Sequence, residues 1–434
     1  KGVVYSNLWR SSKSFLILFV AALFMSALFL NLLFAFQRKS VSTGMEVSDR
    51  ARERLLALVK PLFFLGVFAE ALFASFLPQY FEDITLRYAL GPNGASFLFS
   101  AFFVAYAVVL LPSAQYCQKN GEKKLFIGSI GLFGLSCVGM AFGSHYLLLM
   151  GMRMLAGLSQ GALFMAVQSY LLRAAPAHKK TQSMAILIIQ YNGGRIAGTA
   201  LGALAVSYLQ ARGVFLSGGI LSLLLLVYVL KYMPRLETLG LAVEPGPADA
   251  GDKLSFFSKF KHVLKDLEHL KTTFLIGVNA KLVMIGVVGF ALPLVMDRQA
   301  FSKEDIGLVL MLYSIGVLIS SVYSSRLVDR TGDTRKILFR GNQGSGLGLV
   351  CIGIIGLPFV HLISANLLVI FGTLILGLSH GLIAAPILTH ISNTRTSSLI
   401  GRGPSISVFR IFERAGNILG PLLVGQLLVM SHYN

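Results

Sequence analysis

Long apolar runs separated by short polar connections dominate this sequence. The runs cover about 15–36, 61–81, 95–115, 125–143, 146–172, 184–207, 214–233, 272–296, 306–324, 337–358, 366–389 and 404–430. Each is long enough to cross a hydrocarbon core of about 30 Å as a helix. The alternation of apolar and polar residues that marks a membrane β-strand is missing from them. The pattern therefore predicts an all-α, multi-pass membrane protein.

The composition agrees with this interpretation. The chain has 434 residues, of which 55% are hydrophobic and 13% are charged, against about 25% charged residues in soluble domains. Its net charge is +19, and the positive residues between the apolar runs fall mostly in alternate connections, among them 116–124, 173–183, 325–336 and 390–403. Connections that are rich in lysine and arginine are typical of the cytoplasmic side of a polytopic membrane protein. We therefore interpret the charge as membrane topology and expect no nucleic-acid partner.

The first run stands apart from the others. Residues 1–36 are interpreted as an extra N-terminal transmembrane helix with its N-terminus outside. A cleavable signal is the alternative, but the run is too long for one and ends in a basic pair, Arg38-Lys39. Residues 37–60 form a cytoplasmic connector, in which Val47 to Val59 predict a short amphipathic helix that ends before Pro61.

A polar segment at 234–271 divides the remaining runs. Its Pro- and Gly-rich part at 244–251 is a flexible linker by composition. The part from Lys253 to Lys271 predicts a basic amphipathic helix on the inner membrane surface. The segment separates an N-terminal six-helix bundle (61–233) from a C-terminal bundle (272–434). The second bundle has five runs, so we expect its sixth helix to be missing from this chain.

The two bundles contain an internal sequence repeat. Leu65-Gly66-Val67-Phe68-Ala69-Glu70 recurs 211 residues later as Ile276-Gly277-Val278-Asn279-Ala280-Lys281. Gly157-Leu158-Ser159-Gln160-Gly161 is echoed by Gly377-Leu378-Ser379-His380-Gly381. The first match ends in an acid in one copy and a base in the other, both deep in an apolar run. Ionisable groups at that depth are costly and usually functional, and repeated halves are common in transporters.

The repeat and its motifs resemble the major facilitator superfamily of secondary transporters. The resemblance rests on a loop, Leu327-x-Asp329-Arg330-x-Gly332, and on Arg153-x-x-x-Gly157-x-x-Gln160-Gly161. Glycines spaced by four resemble the family's antiporter motifs; they are Gly194, Gly198, Gly202, Gly416 and Gly420. The resemblance implies a 6+6 helical fold, transport by alternating access, and no enzyme activity.

The same resemblance assigns a conformational latch to the loops after the second run of each half. Its residues are Asp329, Arg330, Gly332, Lys119 and Gly121. The chain departs from the family pattern in the first half, where Gln118 replaces the acid. It departs again in the fifth helix, which lacks the proline of the antiporter motif.

Ionisable residues within the predicted runs are the candidates for binding solute and coupling protons. Glu70 and Lys281 lead, either as a functional pair across the halves or as a structural ion pair. Glu70 is the preferred proton-coupling carboxylate, because burial and a nearby cation shift its affinity for protons in opposite directions. The other candidates are Arg195, Arg410, Glu413, Arg414 and Arg153, the last of which often has a structural role.

These cations outnumber the acids, which favours an anionic solute gripped by arginine. The functional hypothesis is a proton-coupled secondary transporter of a small organic solute in a bacterial cytoplasmic membrane. The alternative is a transporter-like sensor or accessory subunit, whose N-terminal helix would contact a partner protein or an upstream domain. The sequence has no phosphate-binding loop and no metal-ligand spacing, and we expect no cofactor.

Overall fold

The fold is described by a computed structural model that covers residues 49–91, 93–176, 180–239, 241, 256–354 and 362–431. The predicted helix at 15–36 and the connector up to residue 48 lie outside these ranges. Within them every regular element is a helix. The all-α fold predicted from the apolar runs is therefore confirmed.

The helices follow one another with short connections. The N-terminal ones are α1 (Asp49–Ala71), α2 (Leu77–Arg87), α3 (Gly94–Asn120), α4 (Glu122–Phe142), α5 (Tyr146–Ala174) and α6 (Lys180–Tyr232). The later ones are α7 (Phe256–Lys265), α8 (Leu267–Arg298), α9 (Lys303–Thr331), α10 (Thr334–Gly353), α11 (Leu362–Ala384), α12 (Pro386–Ser392), α13 (Arg395–Ile400) and α14 (Arg402–Ser431).

The described residues group into two compact units. The first contains residues 49–241 as far as they are described, together with Pro293–Leu308. The second contains residues 256–292 and 309–431, again as far as described. Each unit has its own apolar core, and the two are treated separately below.

The start of α1 corrects one sequence expectation. The helix does not end before Pro61 but continues through it to Ala71. Leu55, Val59 and Leu62 are almost fully buried in the core of the first unit. Burying three such side chains contributes more than the roughly 3 kcal/mol that a proline costs inside a helix. Tertiary packing thus outweighs the local signal.

A break follows α1 where the sequence predicts one continuous run at 61–81. Residues 72–76 form tight turns, in which the Phe73 amide donates to the Glu70 carbonyl oxygen at 3.2 Å. Helix α2 then starts with Pro78 in its first turn. A proline has no amide proton to leave unpaired there, so the position favours a helix start. Glu70 consequently lies in the last turn before an interruption.

Helix α8 in the second unit is irregular in a different way. It has π-helical turns over Thr272–Val278 and Val283–Ala291, on either side of a regular α-helical stretch, Asn279–Leu282. Such wide turns are rare and are concentrated at functional sites. Lys281 lies in the regular stretch between them.

Seven helical stretches of the described part are long and apolar enough to cross a membrane. They are Gly94–Asn120, Glu122–Phe142, Tyr146–Ala174, Ile186–Leu239, Leu267–Arg298, Lys303–Val328 and Leu367–Ser392. The stretch Ile186–Leu239 contains two predicted runs, joined at Gln210, where φ is +57°. The runs at 61–81 and 404–430 and the described part of the run at 337–358 fall outside this set.

Candidate functional site

Glycines spaced by four bring α6 close to α1 in the first unit. A Cβ atom at Gly198 would lie 2.5 Å from the Phe68 carbonyl oxygen, and one at Gly202 would lie 2.0 Å from that of Leu72. Any larger residue would therefore push the helices apart. This approach holds the last turn of α1, and with it Glu70, against α6.

The second unit repeats this arrangement with α14 and α8. A Cβ atom at Gly416 would lie 2.2 Å from the Val278 carbonyl oxygen and 3.0 Å from the Lys281 Cβ atom. Gly420 is equally close to the backbone, with the Leu282 carbonyl oxygen at 2.8 Å. The glycines thus place the backbone of α14 directly against the segment that carries Lys281. In both units they serve close helix packing.

Glu70 shares its electrostatic environment with Arg153 of α5. Arg153 is 1% exposed, and its guanidinium lies over the Phe102 ring at 4.5 Å and the Phe81 ring at 5.7 Å. Its Nε atom has no hydrogen-bond partner among the described residues. The Glu70 carboxylate attracts this buried cation through space. The first unit therefore contains an acid and a buried base that interact through space.

Lys281 has its own partner within the second unit. Its ammonium lies 3.1 Å from Glu413 Oε1 on α14, and the two side chains are 29% and 15% exposed. Arg410 and Arg414 also attract the Glu413 carboxylate, from positions three residues before and one residue after it. One carboxylate therefore interacts with three cations.

The two repeat-related charges share two features. Each lies at an irregularity of its helix, and each has an opposite charge within its own unit. Irregular helices at membrane depth are typical of the binding regions of transporters. The pairing of Glu70 with Lys281 across the halves stays a prediction.

The remaining predicted cation, Arg195, lies on α6. Its Nη1 atom donates to the Tyr191 hydroxyl at 3.4 Å, and its guanidinium lies 5.9 Å from the centre of that ring. These contacts hold the side chain along its own helix. The structure therefore brings Arg410, Glu413, Arg414 and Lys281 together, and places Arg195 in the other unit.

Sequence reasoning missed one buried polar group of the second unit, His380. This side chain is 5% exposed on α11 and accepts or donates at both ring nitrogens. Nδ1 lies 2.7 Å from the Tyr313 hydroxyl and Nε2 lies 3.2 Å from the Ser345 hydroxyl. It ties α11 to α9 and α10, and Lys281 acts on it electrostatically. Its place in the repeated Gly377–Gly381 motif was the available signal.

The predicted latch residues lie at helix ends. Gly121 and Gly332 both have left-handed backbone angles, with φ of +77° and +68°, which favour glycine. Lys119 and Arg330 are exposed at the ends of α3 and α9. The backbone of Asp329 belongs to α9, and its side chain lies outside the description. Whether these residues form a conformational latch stays a prediction.

An acid that the motif comparison passed over supplies the ion pair of the first loop. Glu122 is 1% exposed and receives a hydrogen bond from Arg173 Nη1 at 2.7 Å and one from the Ser169 hydroxyl at 2.6 Å. Arg173 also donates to Glu237 Oε1 at 3.1 Å and to the Leu241 carbonyl oxygen at 2.7 Å. The end of α5 is thereby joined to the start of α4 and to the segment after α6.

The corresponding contacts in the second unit involve the end of the linker. Asp266 accepts hydrogen bonds from the His269 amide at 3.1 Å and the Thr396 amide at 2.9 Å. Glu268 Oε1 lies 2.5 Å from Arg335 Nη2 and 3.4 Å from His390 Nε2. These two acids join α8 to the start of α10 and to α12 and α13. In the described ranges no cluster of His, Cys, Asp and Glu is suited to hold a metal ion.

The apolar helices and their internal charges define a multi-pass membrane protein with two helical units. A family model described as the Major Facilitator Superfamily matches residues 61–421. The chain belongs to this superfamily of transporters. Its members are not enzymes, and they act on small solutes within the membrane. The resemblance drawn from the loop and glycine motifs is confirmed.

Curated relatives extend over most of the chain. Multidrug resistance protein 2 of Bacillus subtilis (strain 168) is 22% identical over 79% of this chain and 82% of its own length. The gallate transporter of Pseudomonas putida is 24% identical over 73% of this chain and 76% of its own length.

Solved structures agree with the fold. A bacterial homologue of the human lysosomal transporter Spinster, in an inward-facing and unoccupied conformation, has a TM-score of 0.68 at 15% identity. It covers 88% of this chain and 84% of its own. The nucleoside transporter NupG has a TM-score of 0.66 at 13% identity and covers 86% of this chain and 92% of its own. At these identities the likeness concerns the fold alone.

Proposed function

We propose that this chain is a proton-coupled secondary transporter of a small organic anion, working by alternating access. The single observation that carries the proposal is the cluster around Glu413, where Lys281, Arg410 and Arg414 surround one carboxylate. Arginine and lysine bind carboxylates and phosphates strongly, and arginine can do so with two parallel hydrogen bonds.

The cluster supplies a physical route to coupling. When Glu413 is ionised, its carboxylate forms an ion pair with the Lys281 ammonium at 3.1 Å. A proton on Glu413 removes that internal anion and releases the Lys281 ammonium, to which a solute carboxylate then binds. Proton and solute therefore favour each other's binding, and by linkage the effect is reciprocal. Glu70, attracted by Arg153, is the second candidate for the coupling proton.

The gallate transporter among the relatives supports a carboxylate as solute. The decisive experiment is uptake of labelled gallate into proteoliposomes with and without an inward proton gradient. A nucleoside and a lipophilic cation serve as competitors of different charge. We expect gallate or a related carboxylate to accumulate with the gradient, and the neutral and cationic compounds to compete weakly.

Variants separate binding from coupling in the same assay. Glu413→Gln imitates the protonated acid, so gallate exchange should persist while the proton gradient no longer drives accumulation. Arg414→Gln and Lys281→Met should raise the gallate concentration needed for half-maximal exchange by about tenfold or more, the loss of one charge-assisted contact. Arg326→Gln, an exposed cation of the same unit, is the matched control. Unchanged gallate exchange in both cluster variants would remove the basis of the proposal.

Export of drugs is a second candidate function. Multidrug resistance proteins of Bacillus subtilis and Lactococcus lactis match this chain over 79% and 83% of its length. In the first unit, buried Arg153 lies close to the Phe81 and Phe102 rings, and Glu70 attracts it through space. An aromatic region that also contains an acid supports binding of a lipophilic cation. Efflux of a lipophilic cation from loaded proteoliposomes, abolished by Glu70→Gln, would favour this function over anion uptake.

A sensor or accessory subunit is the third reading, motivated by the predicted N-terminal helix that lies outside the described residues. Absence of any solute flux under either gradient, with intact binding of a partner protein, would support it.

The proposed topology places the N-terminus outside and the linker in the cytoplasm of a bacterial membrane. In a variant without the three native cysteines, labelling of single cysteines introduced at 6 and 250 with an impermeant reagent would test the two sides, with 6 expected outside and 250 in the cytoplasm.

A further inference from the structure

The end of the linker has an inner face fixed to the second unit. Val263 of α7 is fully buried with Ile400 and Val408. Phe260 stacks on Phe412 of α14, with ring centres 5.3 Å apart. These contacts set the rotation of α7 about its axis, so the side chains on its opposite face point away from the unit.

The acids of this segment are all engaged within the protein. Asp266 accepts the amides of His269 and Thr396, and Glu268 is bound by Arg335 and His390. The lysines behave differently. Lys261, Lys265 and Lys271 are exposed, and in the described ranges none of them has an ion-pair partner. The outer face is therefore positively charged although the segment contains both signs.

Exposed apolar side chains alternate with these lysines. Leu264 is 48% exposed and Leu267 is 63% exposed, and Phe274 and Leu275 are exposed in the membrane span. Helix α7 ends at Lys265 and α8 begins at Leu267, with Asp266 in an extended conformation between them. Leu264 lies three residues after Lys261 on α7, and Lys271 lies four residues after Leu267 on α8, so each helix carries an exposed lysine and an exposed leucine on one face.

We propose that this junction face, formed by Lys261, Leu264, Lys265, Leu267 and Lys271, binds anionic phospholipid. In this proposal the ammonium groups of the three lysines contact lipid phosphates, and the two leucines insert at the boundary of the acyl chains. Each lysine near an anionic membrane surface strengthens attraction by roughly fivefold. The occupied face would hold α7 and α8 in the orientation seen here, independently of the solute that the protein moves.

The test uses the full chain in a neutral detergent, titrated with dioleoylphosphatidylglycerol or, separately, with dioleoylphosphatidylcholine. Melting temperature is the readout. The wild type should be stabilised by the anionic lipid at lower concentration than by the zwitterionic one. The double variant Lys265→Gln with Lys271→Gln should need about twentyfold more anionic lipid for the same shift. The charge-preserving pair Lys265→Arg with Lys271→Arg should respond as the wild type does.

The matched control removes two exposed lysines of the first unit, Lys124→Gln with Lys231→Gln. It should leave the lipid titration within about twofold of the wild type, because it changes net charge equally at another place. An equal loss in this control would show a general effect of surface charge and overturn the proposal. So would an unchanged titration in the Lys265 and Lys271 glutamine variant, or equal stabilisation by the two lipids.

Discussion

Lys281 Nζ lies 3.1 Å from Glu413 Oε1, and the helices that carry the two residues touch through Gly416, whose missing side chain makes room for the Lys281 Cβ atom. Charge pairing and helix packing therefore meet at one point of the second unit. The same point lies between the two π-helical segments of α8.

The two partners of this ion pair differ in what their loss leaves behind. Lys281→Met leaves Glu413 with Arg410 and Arg414, whereas Glu413→Gln leaves three cations without their carboxylate. Removing one member of a buried pair costs about 3–5 kcal/mol, and partial exposure reduces this to about 1–3 kcal/mol here. We expect Glu413→Gln to lower the melting temperature in detergent more than Lys281→Met does. The reverse order would contradict the described environment of Glu413.

A double variant measures the pair itself. Lys281→Met combined with Glu413→Gln should cost less than the sum of the single variants, with a coupling of about 0.5–3 kcal/mol. Glu413→Gln combined with Arg326→Gln, at an exposed residue outside the cluster, should show additive effects. Additivity in the Lys281 pair would mean that the contact contributes nothing to stability.

Close helix packing gives a prediction of its own. Gly416→Ala places a Cβ atom 2.2 Å from the Val278 carbonyl oxygen, so α8 and α14 must separate. Overpacking of this kind costs about 1–3 kcal/mol and should also shift Lys281 away from Glu413. Gly346→Ala on α10 is the matched control, because a Cβ atom there meets nothing within 4 Å. It should be neutral or stabilise by up to about 1 kcal/mol, since alanine favours a helix.

These comparisons show how far the sequence leads. The apolar runs predict most of the helices, because they are a local pattern that a single sequence displays. The repeat of Leu65–Glu70 at Ile276–Lys281 identifies two segments that lie beside irregular helix geometry, but it does not predict that irregularity. Pro78 is a local signal for the break after Ala71. The residues on both sides of the break are apolar, however, so the sequence predicts one continuous helix there.

Partners at long sequence separation could not be predicted in the same way. Glu122 binds Arg173, 51 residues away. Lys281 binds Glu413, 132 residues away, and its pairing with Glu70 across the halves stays a prediction. Burial and helix packing determine which of these charged residues meet. The spacing of charges along the chain does not show which pairs will form.

Glu122 supplies a prediction that concerns the first loop. Its side chain is 1% exposed and shares Arg173 with Glu237, whose side chain is 45% exposed. Glu122→Gln should destabilise the protein by about 3–5 kcal/mol, the cost of breaking a buried pair. Glu237→Gln should cost about 0–1 kcal/mol, as for a surface pair. Thermal unfolding of both variants measures the difference, and comparable effects would contradict a buried Glu122.

Asp266, at the start of α8 and outside the membrane span, gives the pH prediction. Burial raises the pKa of this carboxyl. Hydrogen bonds from the His269 amide and from Thr396 lower the pKa by more than burial raises it, so the net shift is downward. A depressed pKa in the folded state means that Asp266 stabilises the protein above the unfolded-state pKa of about 3.9. That stability is lost as the pH falls through the lower, folded-state pKa.

Asp266→Ala should therefore lower the melting temperature at pH 6–7, and its difference from the wild type should shrink as the pH falls below about 4. Loss of the cap costs about 0.5–2 kcal/mol, and loss of the Thr396 contact adds to it. Asp266→Asn is the informative second variant, because asparagine keeps the acceptor oxygen without the charge. It should restore most of the cap at neutral pH and show no dependence on pH in this range. A constant gap between Asp266→Ala and the wild type from pH 3.5 to 7 would show that the ionised carboxylate contributes nothing.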